Sequence, residues 1–263
     1  RYHDGAPHVP GLLGDQAHTA RALLDAHEVT GDSTHLDRAE TLARLILDRF
    51  ADRQGDGPPA GFFDVWDGGD SLGRLAERQK SIQDNAVCAE VFIRLYHLTR
   101  DEEYRRVAQA TLEAFAPSYH ALGYFAAGYA RQVDLLLEPP AAVNIVGGAE
   151  SARALHRAAL SLDVPFRIVQ LLDPERDAAR LEALFLPPKP APAAYVCLGT
   201  MCSSPVSDPN FRCSRAMGIA WICWMWNTPG LRNRLGTASS QRFPRTAVMC
   251  GTTTIKASSS SAG

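Results

Sequence analysis

Asp15-Gln16-Ala17-His18-Thr19-Ala20-Arg21-Ala22-Leu23-Leu24 and Asp84-Asn85-Ala86-Val87-Cys88-Ala89-Glu90-Val91-Phe92-Ile93 decide the fold, because the second stretch repeats the first at an offset of 69 residues. Asp15-Gln16-Ala17 falls on Asp84-Asn85-Ala86, Ala20 on Ala89, and Leu23-Leu24 on Phe92-Ile93. The same offset carries Thr30 and Asp32 onto Thr99 and Asp101, His35 onto Tyr104, Ala39 onto Ala108 and Ile46 onto Phe115. Apolar residues recur at helical spacing on both sides of each Thr-x-Asp turn. Each unit therefore reads as a helical hairpin, with an inner and an outer helix that cannot bury their apolar stripes alone.

Working outward, the first hairpin is expected to begin with Asp15 as a cap, to stop at Thr30-Gly31-Asp32, and to return from His35 to Phe50 with Ser33 or Thr34 as cap. Residues 53–72, rich in Gly, Pro and Asp, read as a long loop with a short extended piece at Gly61-Phe62-Phe63-Asp64. Further helices are expected over 82–98, 102–115 and 118–137, the last interrupted by Gly123 and Gly128. Pro139-Pro140 ends the pattern. Three short β-rich runs (142–146, 166–169 and 194–197) then alternate with helices over 150–160 and 177–185, which predicts a small three-stranded parallel sheet.

The expected fold is thus mainly α: a helical domain over 1–138, a small α/β subdomain over 139–209, and an irregular tail over 210–263. That tail holds no sustained period and ends in serines. It reads either as native or as out of frame, and is given no functional weight.

The chain has 263 residues, 46% apolar and 21% charged, with a formal charge of −2. It is long enough for a real core. Near-neutrality leaves nucleic acid and anionic membranes without an electrostatic footprint. The apolar run Ile219 to Trp226 is far short of a span. No charged-then-apolar leader opens the chain, and its start at Arg1 is expected to be a cut end. Six cysteines are expected to be reduced thiols in a cytoplasmic protein.

The repeat sets Asp15-Gln16 and Asp84-Asn85 at the starts of corresponding helices, with Arg78 and Lys80 just before the second pair and His3, His8 and His18 near the first. Two carboxylates at neighbouring helix starts can divide acid and base work. Equally, an aspartate there can simply cap free N–H groups. His18, one turn inside its helix, could be oriented by Asp15 for proton transfer or be a structural residue. Ile145-Val146-Gly147-Gly148 could offer N–H groups to an anion, but reads more simply as a tight turn. Cys197 and Cys202, with four residues between them, do not make a zinc site and read either as a redox-sensitive pair or as two small buried hydrophobes.

Taken together, Asp15-Gln16-Ala17-His18, Gly61-Phe62-Phe63-Asp64, Arg78 to Ala86, Val143 to Gly147, Ala194-Tyr195-Val196-Cys197 with Cys202, and Pro205-Val206-Ser207-Asp208-Pro209 carry a resemblance over about residues 1–209. The chain resembles the C-terminal portion of thioredoxin-domain-containing proteins of the YyaL / spermatogenesis-associated protein type. That resemblance implies an alpha-alpha toroid similar to six-hairpin glycosidases and sugar 2-epimerases, here partial, with about five of its helices and without the thioredoxin-like domain. It implies a mouth lined by inner-helix starts. The expected reaction is carbohydrate-related, glycosidase-like or epimerase-like. Asp15 and Asp84 are its expected catalytic pair; Gln16, His18, Trp66, Lys80, Asn85 and Tyr124 are the expected contacts to a small sugar ligand, with no metal or cofactor. The alternative is a non-catalytic binding module that accompanied the thioredoxin-like domain, with a protein partner the sequence does not specify.

Overall fold

The computed structural model describes residues 2, 3, 5–7, 11–66, 77–138, 140–164, 166–187, 192–199, 201–210, 212–216 and 220–224. After a two-residue hairpin, β1 (Tyr2–His3) and β2 (Ala6–Pro7), come the helices α1 (Leu13–Thr30), α2 (Ser33–Arg49), α3 (Ile82–Thr99) and α4 (Glu102–Glu113). Both repeat windows are helical hairpins, and their turns share one set of hydrogen bonds. Thr30 and Thr99 each donate to the carbonyl four residues back; Asp32 and Asp101 accept through their carboxylates from the N–H two residues on. In both, the residue closing the first helix is left-handed: Gly31 at φ 72° and Arg100 at φ 65°.

Helix starts depart from expectation. Leu12, which contributes no side-chain cap, precedes α1, so Asp15 lies inside the first turn, while Asp32 rather than Ser33 or Thr34 caps α2. The aspartate that ends one turn also begins the next helix, which frees both hydroxyl residues from that duty. The expected helix over 118–137 divides into a 3-10 helix (Tyr119–Ala126), kinked at Gly123, whose φ of 54° and ψ of −129° are non-helical, and α5 (Ala127–Leu137). Gly128 continues the helix.

Contacts between helices ascend together. Asp84 lies against Gly14, Glu90 meets Arg21, and Arg94 meets Asp25 and Glu28, so α1 and α3 run parallel and side by side. Glu90 also meets Arg131 and Gln132 of α5, placing a third helix on the other flank of α3. Ala17, Ala20, Leu24, Phe92, Leu95 and Leu98 form the core between them, with Leu36, Ala39 and Ile46 of α2. Thirteen of the eighteen α3 residues are buried, as befits the central helix.

The sheet comprises β3 (Ala141–Val146), β4 (Arg167–Leu172), β5 (Ala193–Leu198) and β6 (Met201–Cys202), in the order β4-β3-β5-β6. Helix α6 (Arg153–Leu160) carries the crossover that makes β3 and β4 parallel, as expected. The expectation of a third parallel strand is corrected: β5 runs antiparallel to β3, with Ala193 opposite Val146. Helix α7 (Ala178–Ala183) has six residues and rises about 9 Å, against roughly 20 Å for a strand of that length. The chain re-enters the sheet at the end it left. Both faces are covered: Val143, Ile145, Val169 and Leu171 pack with α6, and Val146, Leu172 and Tyr195 pack with Leu181 of α7. In the tail, where no regular element is expected, β7 (Arg212–Ala216) and β8 (Ala220–Trp224) form an antiparallel pair. Apart from Asn210, the rest of that tail lies outside the described residues.

The sheet abuts the first hairpin. A Cβ at Gly31 would stand 2.9 Å from Cδ2 and 3.0 Å from Cβ of Leu171, in a backbone conformation that already disfavours a side chain. Gly31→Ala is expected to cost about 2 kcal/mol in chemical denaturation, from the left-handed backbone and the overlap together. A loss below half that figure would mean that β4 yields at this contact.

Candidate functional site

The starts of α1, α3 and α5 share one end of the array, and the segment 50–66 crosses it. Phe62 anchors that segment: it is fully buried and stacks on Phe92 with ring centroids 5.6 Å apart. Its N–H donates to Asn85 Oδ1 at 2.7 Å, and Asn85 Nδ2 donates back to the Phe62 carbonyl at 2.9 Å and to the Ser81 carbonyl at 2.8 Å. Lys80 Nζ closes the other limb, donating to Asp52 Oδ2 at 2.7 Å and the Ala60 carbonyl at 3.0 Å. Leu13 N–H donates to the Asp64 carbonyl at 2.9 Å, tying the segment to the beginning of α1. The Arg78 guanidinium covers the Phe63 ring at 4.1 Å and that of Arg49 covers the Trp66 ring at 4.4 Å.

Of the residues expected to touch a ligand, Asn85 is 1% exposed and spends its amide on the loop. Lys80 is likewise engaged. Both position the segment at this end of the helices. Trp66 is half-buried against the core with one face under Arg49, and Gln16 lies beside Gly11. Tyr124 is 79% exposed, paired with Phe125 in the 3-10 helix that leads into α5. His18 is exposed on α1, but its Nδ1 lies 3.1 Å from Arg21 Nη2, so Arg21 takes the place expected for Asp15. His3 belongs to β1 and His8 lies outside the described residues.

The two carboxylates are placed differently. Ser81 supplies the cap of α3, its Oγ accepting from the Asp84 N–H at 3.3 Å, so the Asp84 carboxylate is not the cap. That carboxylate turns toward α1, where a Cβ at Gly14 would lie only 3.1 Å from Oδ1. Among the described residues no hydrogen bond reaches it. Asp15, the next residue after Gly14, is exposed and does not cap α1 either. Two carboxylates thus stand on adjoining first turns of parallel helices. Such groups can accept from hydroxyls or exchange protons with a bound substrate. Among the described residues no cluster of three or more His, Cys, Asp or Glu could hold a metal ion.

Midway along the helices lies an arrangement that the sequence reading missed. Arg94 donates to Asp25 Oδ1 at 2.7 Å and Glu28 Oε1 at 2.6 Å, and Glu90 Oε1 lies 3.9 Å away. Arg94, Glu28 and Glu90 are all buried. Burial pushes the Glu28 carboxyl above its usual range, and Arg94 draws it part of the way back. The signal was available in the repeat: Arg21 and Glu90, like Asp25 and Arg94, are equivalent positions of opposite charge, and equivalent positions of parallel helices face each other.

At the far end, where α3 and α5 finish, a cavity of about 310 Å³ is bounded by Ile93, Tyr96, His97, Arg105, Leu136 and Gly199. Burial, with Arg100 and Arg105 nearby, lowers the His97 pKa to about 4. Cys197 and Cys202 are joined in a disulfide, which corrects, for this pair, the expectation of reduced thiols and of two small buried hydrophobes, whereas Cys88 is a free buried thiol. The Gly147 turn donates its N–H to the Leu172 carbonyl. Helix α6 starts only at Arg153, so no helix start backs the glycines as an anion site.

No family model matches the chain, and no curated protein matches it. No helix among the described residues is long and apolar enough to cross a membrane.

Proposed function

We propose that the helical region is part of an alpha-alpha toroid of the six-hairpin type and that its inner-helix starts bind a small sugar, on which Asp84 and Asp15 exchange protons. The observation that carries this reading is the Asp84 carboxylate, which is spared from capping by Ser81 and directed at the first turn of α1. Parallel α1, α3 and α5, with α2 and α4 returning between them, support the partial toroid. The resemblance to the YyaL / spermatogenesis-associated protein type adds the glycosidase-like or epimerase-like chemistry. Exposed Tyr124 is the aromatic surface on which a sugar's C–H face would stack, while half-buried Trp66 lies between the core and Arg49. Lys80 and Asn85 serve by holding the loop, which shifts two expected ligand contacts into a positioning role. The compartment we infer is the cytoplasm, where a disulfide such as Cys197–Cys202 is a reacting group more than a permanent brace.

The test is Asp84→Asn, which keeps shape and removes charge. Turnover of a panel of mono- and disaccharides, followed by product analysis, is expected to fall at least about 100-fold, with the unfolding free energy within about 1 kcal/mol of the parent. Calorimetric binding of sugar by the parent protein is the prior requirement. A parent that binds none, with the Asp84 variant indistinguishable from it, would replace this reading by the second one. That second reading, a non-catalytic binding module, is favoured by the internal engagement of Lys80 and Asn85.

A further inference from the structure

Cys197 and Cys202 are register partners across β5 and β6, and one disulfide joins them beside the turn at Gly199. We propose that this pair is a thiol–disulfide exchange site, opened by attack of a low-molecular-weight thiol on Cys202 with Cys197 as the leaving thiolate. The inference is independent of the sugar reading.

Access sets the direction. Cys202 is exposed on the two-residue edge strand, whereas Cys197 is 1% exposed within the sheet. An external nucleophile therefore meets Cys202 first, and exchange depends on which sulfur can be reached as much as on thiolate supply.

The leaving group is provided for. Asn144 of β3, 2% exposed, donates from Nδ2 to Cys197 Sγ at 3.4 Å. Gln170 of β4 fixes that amide by donating from Nε2 to Asn144 Oδ1 at 2.7 Å. A polar chain thus runs across three strands, in a layer otherwise filled by Val146, Leu172 and Tyr195, and ends on one sulfur of the pair. A donor aimed at sulfur favours the thiolate over the thiol, and a better-stabilised thiolate leaves faster. Among the described residues no such donor reaches the sulfur of Cys202.

The pair can also re-form. Ser203 N–H donates to the Val196 carbonyl at 2.8 Å, Val196 N–H to Ser203 Oγ at 3.1 Å, and Ala194 and Val206 exchange two backbone bonds at 2.8 and 2.9 Å. Arg100 Nη2 holds the Gly199 carbonyl at 3.2 Å. These contacts keep the hairpin closed without the covalent link, so the reduced sulfurs stay opposed.

The steps balance. A thiolate RS⁻ attacks Cys202 Sγ, the Cys202–Cys197 bond breaks, a mixed disulfide RS–S forms on Cys202, and Cys197 departs as thiolate and takes a proton from solvent. A second RS⁻ attacks the sulfur of R in the mixed disulfide, giving RSSR and the Cys202 thiolate, which is protonated in turn. Two electrons pass from two thiols to the protein disulfide, and the reverse sequence with RSSR restores it.

The experiment treats the folded protein with glutathione, quenches it with acid at intervals, and maps adducts by peptide mass spectrometry. Expected are a glutathione adduct on Cys202, none on Cys197, and no reaction at buried Cys88 while the fold persists by circular dichroism. In Asn144→Leu, reduction is expected to slow at least tenfold with the adduct still on Cys202. An adduct on Cys197, or reduction no faster than global unfolding, would overturn the proposal, and both are read on the parent protein should the Asn144 variant fail to fold. An Asn144 variant that folds and reacts at the parental rate would equally overturn the assignment of Cys197 as the assisted leaving group.

Discussion

Arg94→Met is expected to lower the unfolding free energy by about 3–5 kcal/mol at neutral pH, because it leaves buried carboxylates without their cation. Arg94 binds Glu28 at 2.6 Å and Asp25 at 2.7 Å. Asp25 is 63% exposed and can return to water, but Glu28 cannot, since its side chain is only 11% exposed. Among the described residues its other oxygen has only the Val169 N–H at 3.4 Å. Glu90 fares better, retaining Arg131 at 3.2 Å and Gln132 at 3.1 Å. The loss therefore concentrates on Glu28, whose carboxyl is already pushed up by burial and would be pushed further. A carboxyl with a raised folded pKa binds more protons folded than unfolded, so the variant's deficit should shrink as pH falls toward the ordinary carboxylate range. The double variant Arg94→Met with Glu28→Leu removes both charges and should recover to within about 1 kcal/mol of the parent. Urea unfolding of the three proteins is the measurement. A single variant that loses less than 1 kcal/mol, or a double variant no better than the single, would show that the network is not what holds α1 against α3.

That network also shows where sequence reading succeeded and where it stopped. The hairpins were legible because a constant offset preserved apolar positions and the Thr-x-Asp turn, and both depend on local periodicity and local hydrogen bonding. The same offset pairs Asp25 with Arg94 and Arg21 with Glu90, yet charge complementarity means something only once the two helices are known to be parallel neighbours. Capping was misassigned at Asp15 because Leu12 sits where the chain leaves the loop, and its position is fixed by the long-range bond from Leu13 to Asp64. Strand direction failed for a related reason: alternating strands and helices specify order, while the reversal of β5 follows from the six residues of α7 and the re-entry at Ala193. At the candidate site, residue types and the shared end of the array were legible. The diversion of Lys80 and Asn85 to the loop was not, because their partners Asp52, Ala60 and Phe62 lie 20 to 28 residues earlier in sequence.

His97 should make the fold acid-sensitive above the range in which carboxylates titrate. The imidazole is 6% exposed at the end of α3, beside the cavity that Arg105 also lines, and its folded pKa lies at about 4 against an ordinary 6.5. Burial is the largest cause, with Arg100 and Arg105 adding repulsion. Between those two values the unfolded chain takes up a proton that the folded chain refuses, so stability rises with pH through the window and is lost as pH falls from about 6.5 toward 4. The separation corresponds to about 3 kcal/mol for complete passage. His27, also lowered by burial, acts in the same direction, while Glu28 acts in the opposite one. A bare pH profile would mix all three. The difference between the parent and His97→Gln isolates the one group, since His27 and Glu28 titrate alike in both. That difference is expected to favour the parent at neutral pH, by whatever packing the imidazole contributes, and to move toward the variant by about 3 kcal/mol at pH 4. A constant difference from pH 7 to pH 4 would mean that His97 admits its proton within the fold, through water in the cavity at the end of α3.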